Sequence, residues 1–311
     1  MACCHCRESR ETARRTTWPR RIDRVDNCAS RRKRWNVNRQ LRKRKGKIIG
    51  RGIQWCHFTW NAVAGCKHGC QWQMPDGSIA ECYVDPIAAF FKKSYPEGFE
   101  RHYWRPKILQ QPLSLRKAAF IFMDSMSDLM GAWVPEVQVR KVLEICRQAH
   151  WHKFQLLTKN PGRLPKFDFP ANVWVGVSSP PDFMMSHPLS RNQQEKMLAK
   201  SLSVLAGIPV PVRWMSVEPL SWDVSKIVAD NQPLSWAVIG AATNGRNVYQ
   251  PDPEHVANLL EVFDKQGVPV FFKGNLWGNP AADPWREFFP GHEPSPFMAC
   301  TLGPHAVPIG S

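Results

Sequence analysis

The segment "AAFIFMDSMSDLMGAWVPEVQVRKVLEICRQAHWHKFQLLTKN" (residues 118–160) decides the fold, because it reads as a strand, a helix and a second strand in succession. Its two ends are continuous apolar runs, which are typical of strands buried on both faces of a parallel sheet. Between these runs, four apolar residues follow the i, i+3, i+4, i+7 spacing of one helix face: Val139, Val142, Leu143 and Cys146. The segment therefore predicts a βαβ unit with parallel strands.

Four more apolar runs continue this pattern toward the C-terminus: "NVWVGVSS" (172–179), "VRWMSVEP" (212–219), "SWAVIGAATN" (235–244) and "VPVFFKGN" (268–275). Helices are predicted at residues 192–207 and 252–267, where Asp252 suits the N-cap and Gly267 the C-terminal stop. Residues 160–172 leave room for little helix, which an open barrel tolerates. These units predict an α/β protein with a partial (β/α)6 barrel, and "HFTWNAV" (57–63) is a further short strand upstream.

Every predicted strand ends in polar residues, and the carboxyl ends of strands in such a barrel converge on one face. The polar ends are Asp124, Ser125, Ser127 and Asp128; Thr158 and Lys159; Ser178 and Ser179; Ser216 and Glu218; Thr243 and Asn244; Lys273 and Asn275. A chain that leaves a core becomes hydrophilic in any protein, but six sets in register favour an active site. Glu218 and Lys273 are the catalytic candidates, for substrate contact or proton transfer. The alternative is a buried ion pair between neighbouring strands.

Five tryptophans lie in or beside the predicted strands: Trp55, Trp60, Trp174, Trp214 and Trp236. A row of aromatic rings can stack on nucleobases. Inward positions on strands are more typical of a hydrophobic core, and we expect these residues to be core.

The segment "GCKHGCQWQMPDGSIAECY" (65–83) contains three cysteines with the spacing C-x3-C-x11-C, on the loop that leaves the "HFTWNAV" strand. An iron–sulfur cluster bound by three cysteines leaves one iron open to another ligand, whereas a structural zinc site needs four protein ligands. Cys56, His57 or His68 would complete such a zinc site. Both interpretations remain open at the level of spacing.

The charge of the chain is concentrated at its N-terminus, since residues 1–47 contain 17 Lys/Arg and 4 Asp/Glu, a net +13 of the total +16. We predict a disordered basic arm at 1–47, a barrel at 48–290 and a C-terminal tail at 291–311. The arm suits a nucleic-acid partner, and the alternative is a like-charged tail without a role. No run of about 18 apolar residues and no signal peptide is present, so we expect a cytoplasmic protein without membrane contact.

Eight collinear segments between residues 53 and 278 resemble an uncharacterised, largely phage-associated family of radical S-adenosylmethionine (radical-SAM-like) proteins, a domain of unknown function. The segments are "IQW" with "TWNAVAGC" (53–66), "GC" with "CY" (69–70 and 82–83), "DSMSDL" (124–129), "FQLLTKNP" (154–161), "NVWVGVS" (172–178), "MSVEPL" (215–220), "WAVIGAATNG" (236–245) and "VPVFFKGNLWG" (268–278). The resemblance implies a radical-SAM-type partial barrel with a 4Fe–4S cluster on Cys66, Cys70 and Cys82, S-adenosylmethionine beneath it and an electron donor.

The resemblance also implies roles for residues near the cluster. Ser125, Ser127 and Asp128 lie where this superfamily binds the methionine amino group, and Ser178 would contact the ribose. The usual spacing is C-x3-C-x2-C with an aromatic residue before the third cysteine. Here Glu81 takes that position and Tyr83 follows Cys82; Tyr83 is the remaining candidate for cofactor binding, and "PDG" (75–77) allows the longer segment to bulge outward.

The function predicted from the sequence is therefore that of a radical S-adenosylmethionine enzyme with an unidentified substrate, with a nucleic acid or nucleotide favoured. The alternative is a zinc-stabilised nucleic-acid-binding accessory protein without catalysis.

Overall fold

The computed structural model describes residues 38–44, 47–231, 234–245 and 247–276. The first 37 residues of the predicted arm and the predicted tail at 291–311 lie outside these ranges. The strands are, in chain order, β1 (Asn38–Arg39), β2 (Leu41–Arg44), β3 (Lys47–Arg51), β4 (Phe58–Trp60), β5 (Val63–Ala64), β6 (Gln71–Gln73), β7 (Ile79–Glu81), β8 (Tyr103–Trp104), β9 (Phe120–Met123), β10 (Lys153–Thr158), β11 (Val173–Ser178), β12 (Phe183–Met184), β13 (His187–Pro188), β14 (Arg213–Val217), β15 (Trp236–Ile239), β16 (Ala242–Asn244), β17 (Asn247–Tyr249) and β18 (Val270–Phe272).

The described helices connect these strands. The α-helices are α1 (Val84–Phe90), α2 (Glu136–Gln148), α3 (Arg191–Ala206), α4 (Ser225–Ala229) and α5 (Pro253–Gln266), and the 3-10 helices are Pro106–Ile108, Gln111–Ser114 and Pro161–Lys166. None of the helices in the described ranges is long and apolar enough to cross a membrane.

The main sheet has eight strands in the order β1-β4-β9-β10-β11-β14-β15-β18. The seven strands that follow β1 in this order are parallel to one another, and β1 pairs antiparallel with β4. Because spatial order follows chain order, right-handed crossovers put the connecting helices on one face of a curled sheet. The predicted partial (β/α)6 barrel is confirmed, with "HFTWNAV" supplying the first of seven parallel strands.

The two faces of the sheet bury different side chains, because successive residues of a strand point to opposite faces. The outer face packs against the helices; strand residues such as Ile121 and Val175 share that core with Val142 of α2. On the inner face an aromatic cluster consists of Trp55, Phe120, Phe122, Trp174, Trp214, Trp236 and Phe271 with apolar neighbours. Trp60 lies in the outer core. All five predicted tryptophans are at most 2% exposed, so their assignment to the core is confirmed.

The helix ends follow the sequence signals closely. Asp252 accepts a hydrogen bond from the Glu254 amide, and Gly267 ends α5 in the left-handed region at φ 64°. Residues 160–172 hold only a 3-10 helix, as predicted.

Part of the segment that was predicted as a basic arm is ordered in strands. Residues 38 and 39 form β1 at the edge of the main sheet, and residues 41–44 pair with β3 in a hairpin. The sequence pattern predicted that the barrel starts at residue 48. The sheet begins upstream of that residue, with β1.

Candidate functional site

The segment between the second and third cysteines forms an antiparallel hairpin of β6 and β7. Its register begins with Gln71 opposite Glu81. Cys70 and Cys82 immediately flank this pair, so the pairing places their backbones opposite each other at the base of the hairpin. The segment C-x11-C is thus folded back on itself, and the turn predicted at "PDG" forms its tip.

Cys66 completes a group of three thiols. It follows Gly65, whose backbone is left-handed (φ 83°) and where a Cβ would overlap the Arg101 carbonyl. Burial raises the pKa of the Cys66 thiol, and charge on Cys70 and Cys82 raises it further. Burial also raises the pKa of Cys82 to about 11, with a contribution from Cys70. The three thiols are free and close enough to influence one another electrostatically.

A lysine lies among these thiols. Burial by itself lowers the pKa of Lys159, but negative charge on the three cysteines outweighs burial and the net pKa is raised. The Lys159 cation in turn lowers the pKa of Cys70 and of Cys82, against the larger effect of their burial. From the sequence, Lys159 is predicted only as a polar strand end, because spacing along the chain does not reveal its distance from the cysteines.

The three thiols are of the donor type that an iron–sulfur cluster takes. Within the described ranges, no three His, Cys, Asp or Glu side chains form a group that could hold a single metal ion. In a 4Fe–4S cluster each cysteine binds a different iron, so three cysteines leave one iron without a protein ligand. The chemistry of the three thiols therefore suits such a cluster.

The three residues suggested as a fourth zinc ligand are engaged elsewhere. Cys56 belongs to the inner aromatic cluster, and its Sγ contacts the Ile53 carbonyl at 3.8 Å. His57 Nδ1 accepts a hydrogen bond from the Phe120 amide at 2.8 Å, and His68 Nε2 contacts a carboxylate. The contacts of Cys56 and His57 weaken a zinc site that uses either residue, whereas the carboxylate contact of His68 is also typical of metal-binding histidines.

Asp128 fixes the cysteine loop against the ends of the strands. Its Oδ2 contacts His68 Nε2 at 2.8 Å and accepts from Thr158 Oγ1 and the Lys159 amide, each at 2.9 Å. Its Oδ1 accepts from the Met130 amide at 2.9 Å. Burial acts to raise the pKa of Asp128, but the His68 contact and these hydrogen bonds lower it overall. Since His68 lies between the first two cysteines, Asp128 acts as a positioning residue for them.

Ser125 and Ser127 lie in the turn after β9. Ser125 Oγ donates to Asn61 Oδ1 at 3.1 Å, and Ser127 Oγ donates to the Gly65 carbonyl at 2.6 Å. A hydroxyl that donates its proton keeps lone pairs that accept another hydrogen bond. The turn is thereby attached to the loop that carries Cys66, so the structure brings both serines to the cysteine site.

A buried carboxyl supports the same loop from the end of β9. Asp124 Oδ1 accepts from the Val63 amide at 2.9 Å. Its Oδ2 has no hydrogen-bond partner among the described residues. Burial raises the pKa of Asp124 to about 8, so this group is mostly protonated at neutral pH. It is a structural acid rather than a charged ligand.

Tyr83 lies beside the third cysteine, at the start of α1. The residue is 54% exposed, while its hydroxyl donates to the Ser125 carbonyl at 2.6 Å. Loss of solvent around the hydroxyl raises the pKa of Tyr83, and charge on Cys82 and Glu218 raises it further. Tyr83 is thus exposed beside Cys82 and is attached by its hydroxyl to the turn that carries Ser125.

Glu218 and Lys273 form an ion pair at 2.9 Å across the end of β15. Gly240 makes the crossing possible, because a Cβ there would lie 2.9 Å from Lys273 Cδ and 3.2 Å from Glu218 Cγ. Ser216 Oγ donates to Glu218 Oε2 at 2.8 Å. The side chains of Glu218 and Lys273 keep 16% and 30% of their surface exposed. An ion pair between the two residues is therefore present, but it is partly accessible and joins β14 to β18 across β15 rather than two neighbouring strands.

Ser178 is the most isolated of the predicted site residues. It ends β11 and is buried, and its Oγ donates to the Ser179 carbonyl at 3.4 Å. Its position on the carboxyl edge of the sheet agrees with the prediction, but no described hydrogen bond links it to the cysteine loop.

The chain is similar to solved structures of low sequence identity. One is a spore photoproduct lyase complexed with dinucleoside spore photoproduct, at 10% identity and a TM-score of 0.43 over 76% of this chain and 81% of that chain. Another is a radical SAM methyltransferase from Sphaerobacter thermophilus, at 12% identity and a TM-score of 0.39 over 67% of this chain and 63% of that chain. No curated protein sequence matches the chain.

A protein-family model matches residues 50–288, which is most of the 311-residue chain. The matched range contains the three cysteines, the parallel strands and the Glu218–Lys273 pair. The chain therefore belongs to the family described as "Protein of unknown function (DUF5131)".

Proposed function

We propose that this protein is a radical S-adenosylmethionine enzyme whose 4Fe–4S cluster is bound by Cys66, Cys70 and Cys82. The observation that carries the proposal is the group of three free thiols at the carboxyl edge of a parallel sheet, two of them brought together by the β6–β7 hairpin. Three thiolates leave one iron of such a cluster open for another ligand. When bound, the cluster and S-adenosylmethionine supply a 5′-deoxyadenosyl radical that abstracts hydrogen from a substrate.

The residues around the thiols suit this cofactor. Lys159 lies close enough to the three cysteines to interact with them electrostatically, and its cation would offset part of the negative charge of a thiolate-bound cluster. Ser125 and Ser127 have acceptor lone pairs for the methionine ammonium group. Asp128 has both carboxylate oxygens occupied, so we assign it to positioning the serines and the cysteine loop for that group. The exposed ring of Tyr83 would lie against the adenine.

Other residues are assigned to the ribose and the substrate. We assign Ser178 to the ribose, because it ends the neighbouring strand β11 on the same edge. Glu218 and Lys273 are assigned to substrate contact or proton transfer. Paired but partly exposed, they hold a carboxylate and an ammonium at a fixed distance, ready to bind a polar group of a substrate.

The proposal is tested on full-length protein purified without oxygen and reconstituted with iron and sulfide. We expect a brown protein with about four irons and four sulfides per chain. Single replacement of Cys66, Cys70 or Cys82 by Ala removes the cluster. Cys56→Ala and Cys146→Ala are matched controls that keep it, because both residues are buried in apolar clusters.

A colourless protein with one bound zinc and no sulfide would contradict the proposal. That result would support the alternative of a zinc-stabilised nucleic-acid-binding protein without catalysis. Loss of iron in the Cys56→Ala variant would instead show that the ligand set is wrong.

The partners implied by this function are an electron donor and the substrate. The basic segment 1–47 suits a nucleic-acid substrate, because Lys and Arg that neutralise phosphates release counterions. Deleting residues 1–37 and measuring nucleic-acid affinity at two salt concentrations tests this partner. We expect a shallower salt dependence for the deletion, and an unchanged dependence would exclude residues 1–37 from binding.

A further inference from the structure

Two short strands near the start of the described chain form a small sheet of their own, the basic hairpin. It consists of β2 (Leu41–Arg44) and β3 (Lys47–Arg51), which pair antiparallel, and no other described strand joins them. A two-stranded sheet by itself is only marginally stable in water. The basic hairpin therefore depends on how its base is attached and on what binds to it.

Gln40 attaches the base of the basic hairpin to the main sheet. Its amide donates to the His57 carbonyl, and its carbonyl accepts from the Gly52 amide, each at 2.9 Å. Its side chain donates to Thr59 Oγ1 at 3.2 Å and accepts from the Ile53 amide at 2.9 Å. The two ends of the hairpin are thus fixed to each other and to the edge of the sheet.

This base lies at the end of the sheet that is opposite to the cysteines. β1 runs antiparallel to β4, with Asn38 opposite Thr59 and Arg39 opposite Phe58. The chain that continues from β1 into β2 therefore leaves the sheet at the amino-terminal end of β4, whereas the cysteine loop follows the carboxyl end of β4. The attachment point of the basic hairpin is thus separate from the site of the three thiols.

The sequence of this region carries positive charge only. Residues 38–51, "NRQLRKRKGKIIGR", contain seven Lys or Arg and no Asp or Glu. The register of the hairpin puts Arg44 opposite Lys47, and like charges directly opposite each other destabilise a strand pair. A partner with many negative charges would remove this repulsion. The charge of the basic hairpin therefore favours a polyanion.

The residue types of the basic hairpin favour a duplex over a single strand. Proteins that bind single-stranded nucleic acids stack the bases on aromatic side chains, and residues 38–51 contain no Phe, Tyr, Trp or His. The major groove of B-form DNA is about 12 Å wide and admits a two-stranded β-ribbon. The major groove of an A-form RNA helix is too narrow for side chains to read. A basic ribbon without aromatic rings thus suits B-form DNA.

We infer that the basic hairpin binds double-stranded DNA, with the ribbon in the major groove and its Lys and Arg residues neutralising the phosphates on either side. The contact is largely independent of base sequence, because phosphate contacts carry no sequence information directly. The inference goes beyond the proposed function, since it concerns an element at the other end of the sheet and does not require the cluster. It names duplex DNA as a partner and assigns the contact to a paired element.

The test measures the affinity of full-length protein for a DNA duplex, an RNA duplex of the same sequence and the separated DNA strands, at several salt concentrations. We expect the DNA duplex to be bound most tightly. In the hairpin variant, Arg42, Lys43 and Arg44 are replaced together by Gln. This variant should reduce the slope of log affinity against log salt concentration by about 2–3, because about one counterion is released for each lost phosphate contact.

A helix variant is the matched control for charge. It replaces Lys141, Lys196 and Lys200 by Gln, which removes the same charge from exposed positions of α2 and α3. Its salt slope should equal that of the wild type. Thermal unfolding of the hairpin variant controls for folding, and we expect no loss of stability, because the substitutions relieve repulsion between like charges. A second hairpin variant, with Lys47→Gln and Arg51→Gln, should reduce the slope by about 1–2.

Three results would overturn the inference. One is a salt slope that is unchanged in both hairpin variants or reduced equally in the helix variant. Another is an RNA duplex or a single strand that binds as tightly as the DNA duplex. The third is binding to vesicles of equimolar phosphatidylserine and phosphatidylcholine that the hairpin substitutions abolish while DNA binding is unchanged, which would identify a lipid surface as the partner.

The iron and sulfide content separates this inference from the proposed function. The hairpin variant should keep the cluster, and Cys66→Ala should bind DNA as the wild type does. Loss of DNA binding in Cys66→Ala would place the contact at the cysteine site and would overturn the inference. A wild-type protein that binds DNA through the hairpin but holds no cluster would overturn the proposed function alone.

Discussion

The inner face of the sheet differs sharply between its two ends. Along β14, the inward residues are Trp214 and then Ser216, and Glu218 follows the strand; along β11 they are Trp174, Gly176 and Ser178. The amino-terminal half of this face is a closed aromatic cluster, and the carboxyl edge carries hydroxyls, an ion pair and three thiols. Residues two positions apart on one strand thus lie either in the closed aromatic cluster or at the polar edge.

The largest effect is expected from the aromatic end. Trp214→Ala should lower the free energy of unfolding by about 3–5 kcal/mol, because a fully buried indole is replaced by a cavity. Denaturant unfolding measures this loss. The control Phe90→Ala removes a side chain that is 81% exposed, and it should change stability by less than about 0.5 kcal/mol. Equal losses of stability in the two variants would contradict the assignment of the aromatic end of the sheet to the stabilising core.

The next effect concerns the polar edge. Asp128→Asn removes a buried charge that contacts His68, and it should lower the free energy of unfolding by about 3 kcal/mol. The pKa of Asp128 is lowered in the folded protein, so its stabilisation is present above the usual aspartate pKa and is lost as pH falls through the folded value.

Unfolding measured between pH 7 and pH 3 tests the sign of this prediction. The difference between wild type and Asp128→Asn should shrink as the pH falls below about 4. Asp264→Asn, an exposed position in α5, is the control and should show no such change. A difference that grows toward low pH would mean that Asp128 is buried as the neutral acid.

The smallest effects on stability are expected at two glycines, one packed against the aromatic cluster and one beside the ion pair. A Cβ at Gly176 would overlap the buried Trp214 ring, whereas a Cβ at Gly240 would meet the flexible side chain of Lys273. Gly176→Ala should therefore lower stability by about 1–3 kcal/mol, and Gly240→Ala by less than about 1 kcal/mol. Thermal unfolding of both variants provides the measurement. A larger loss at Gly240 would show that the ion pair, rather than the aromatic cluster, is the rigid part.

Much of this architecture is predictable from local patterns. The apolar runs gave β9, β10, β11, β14 and β18, because a strand buried on both faces needs a continuous apolar run. The strand predicted at 235–244 was too long, because β15 ends at Ile239 and β16 belongs to a separate hairpin with β17. The apolar pattern does not reveal that the strand ends before Gly240, where the chain leaves the sheet beneath the ion pair.

The site was only partly predictable. The three cysteines and the polar strand ends are visible as residue types, and the strand order places them on one edge. The electrostatic influence between Lys159 and the thiols and the contact of Asp128 with His68 were not predicted, because they join segments that are distant in sequence. The pairing of β6 with β7 was not predicted either, since a "PDG" turn indicates a reversal of the chain without fixing its register.

The most direct test of the central claim is the electron paramagnetic resonance spectrum of the dithionite-reduced, reconstituted protein, recorded with and without S-adenosylmethionine. We expect a 4Fe–4S signal that changes when S-adenosylmethionine is added, because the iron without a cysteine would take it as a ligand. We also expect the signal to be lost in Cys82→Ala. A reduced protein without any iron–sulfur signal, or a signal that S-adenosylmethionine leaves unchanged, would contradict an open iron at the base of the β6–β7 hairpin.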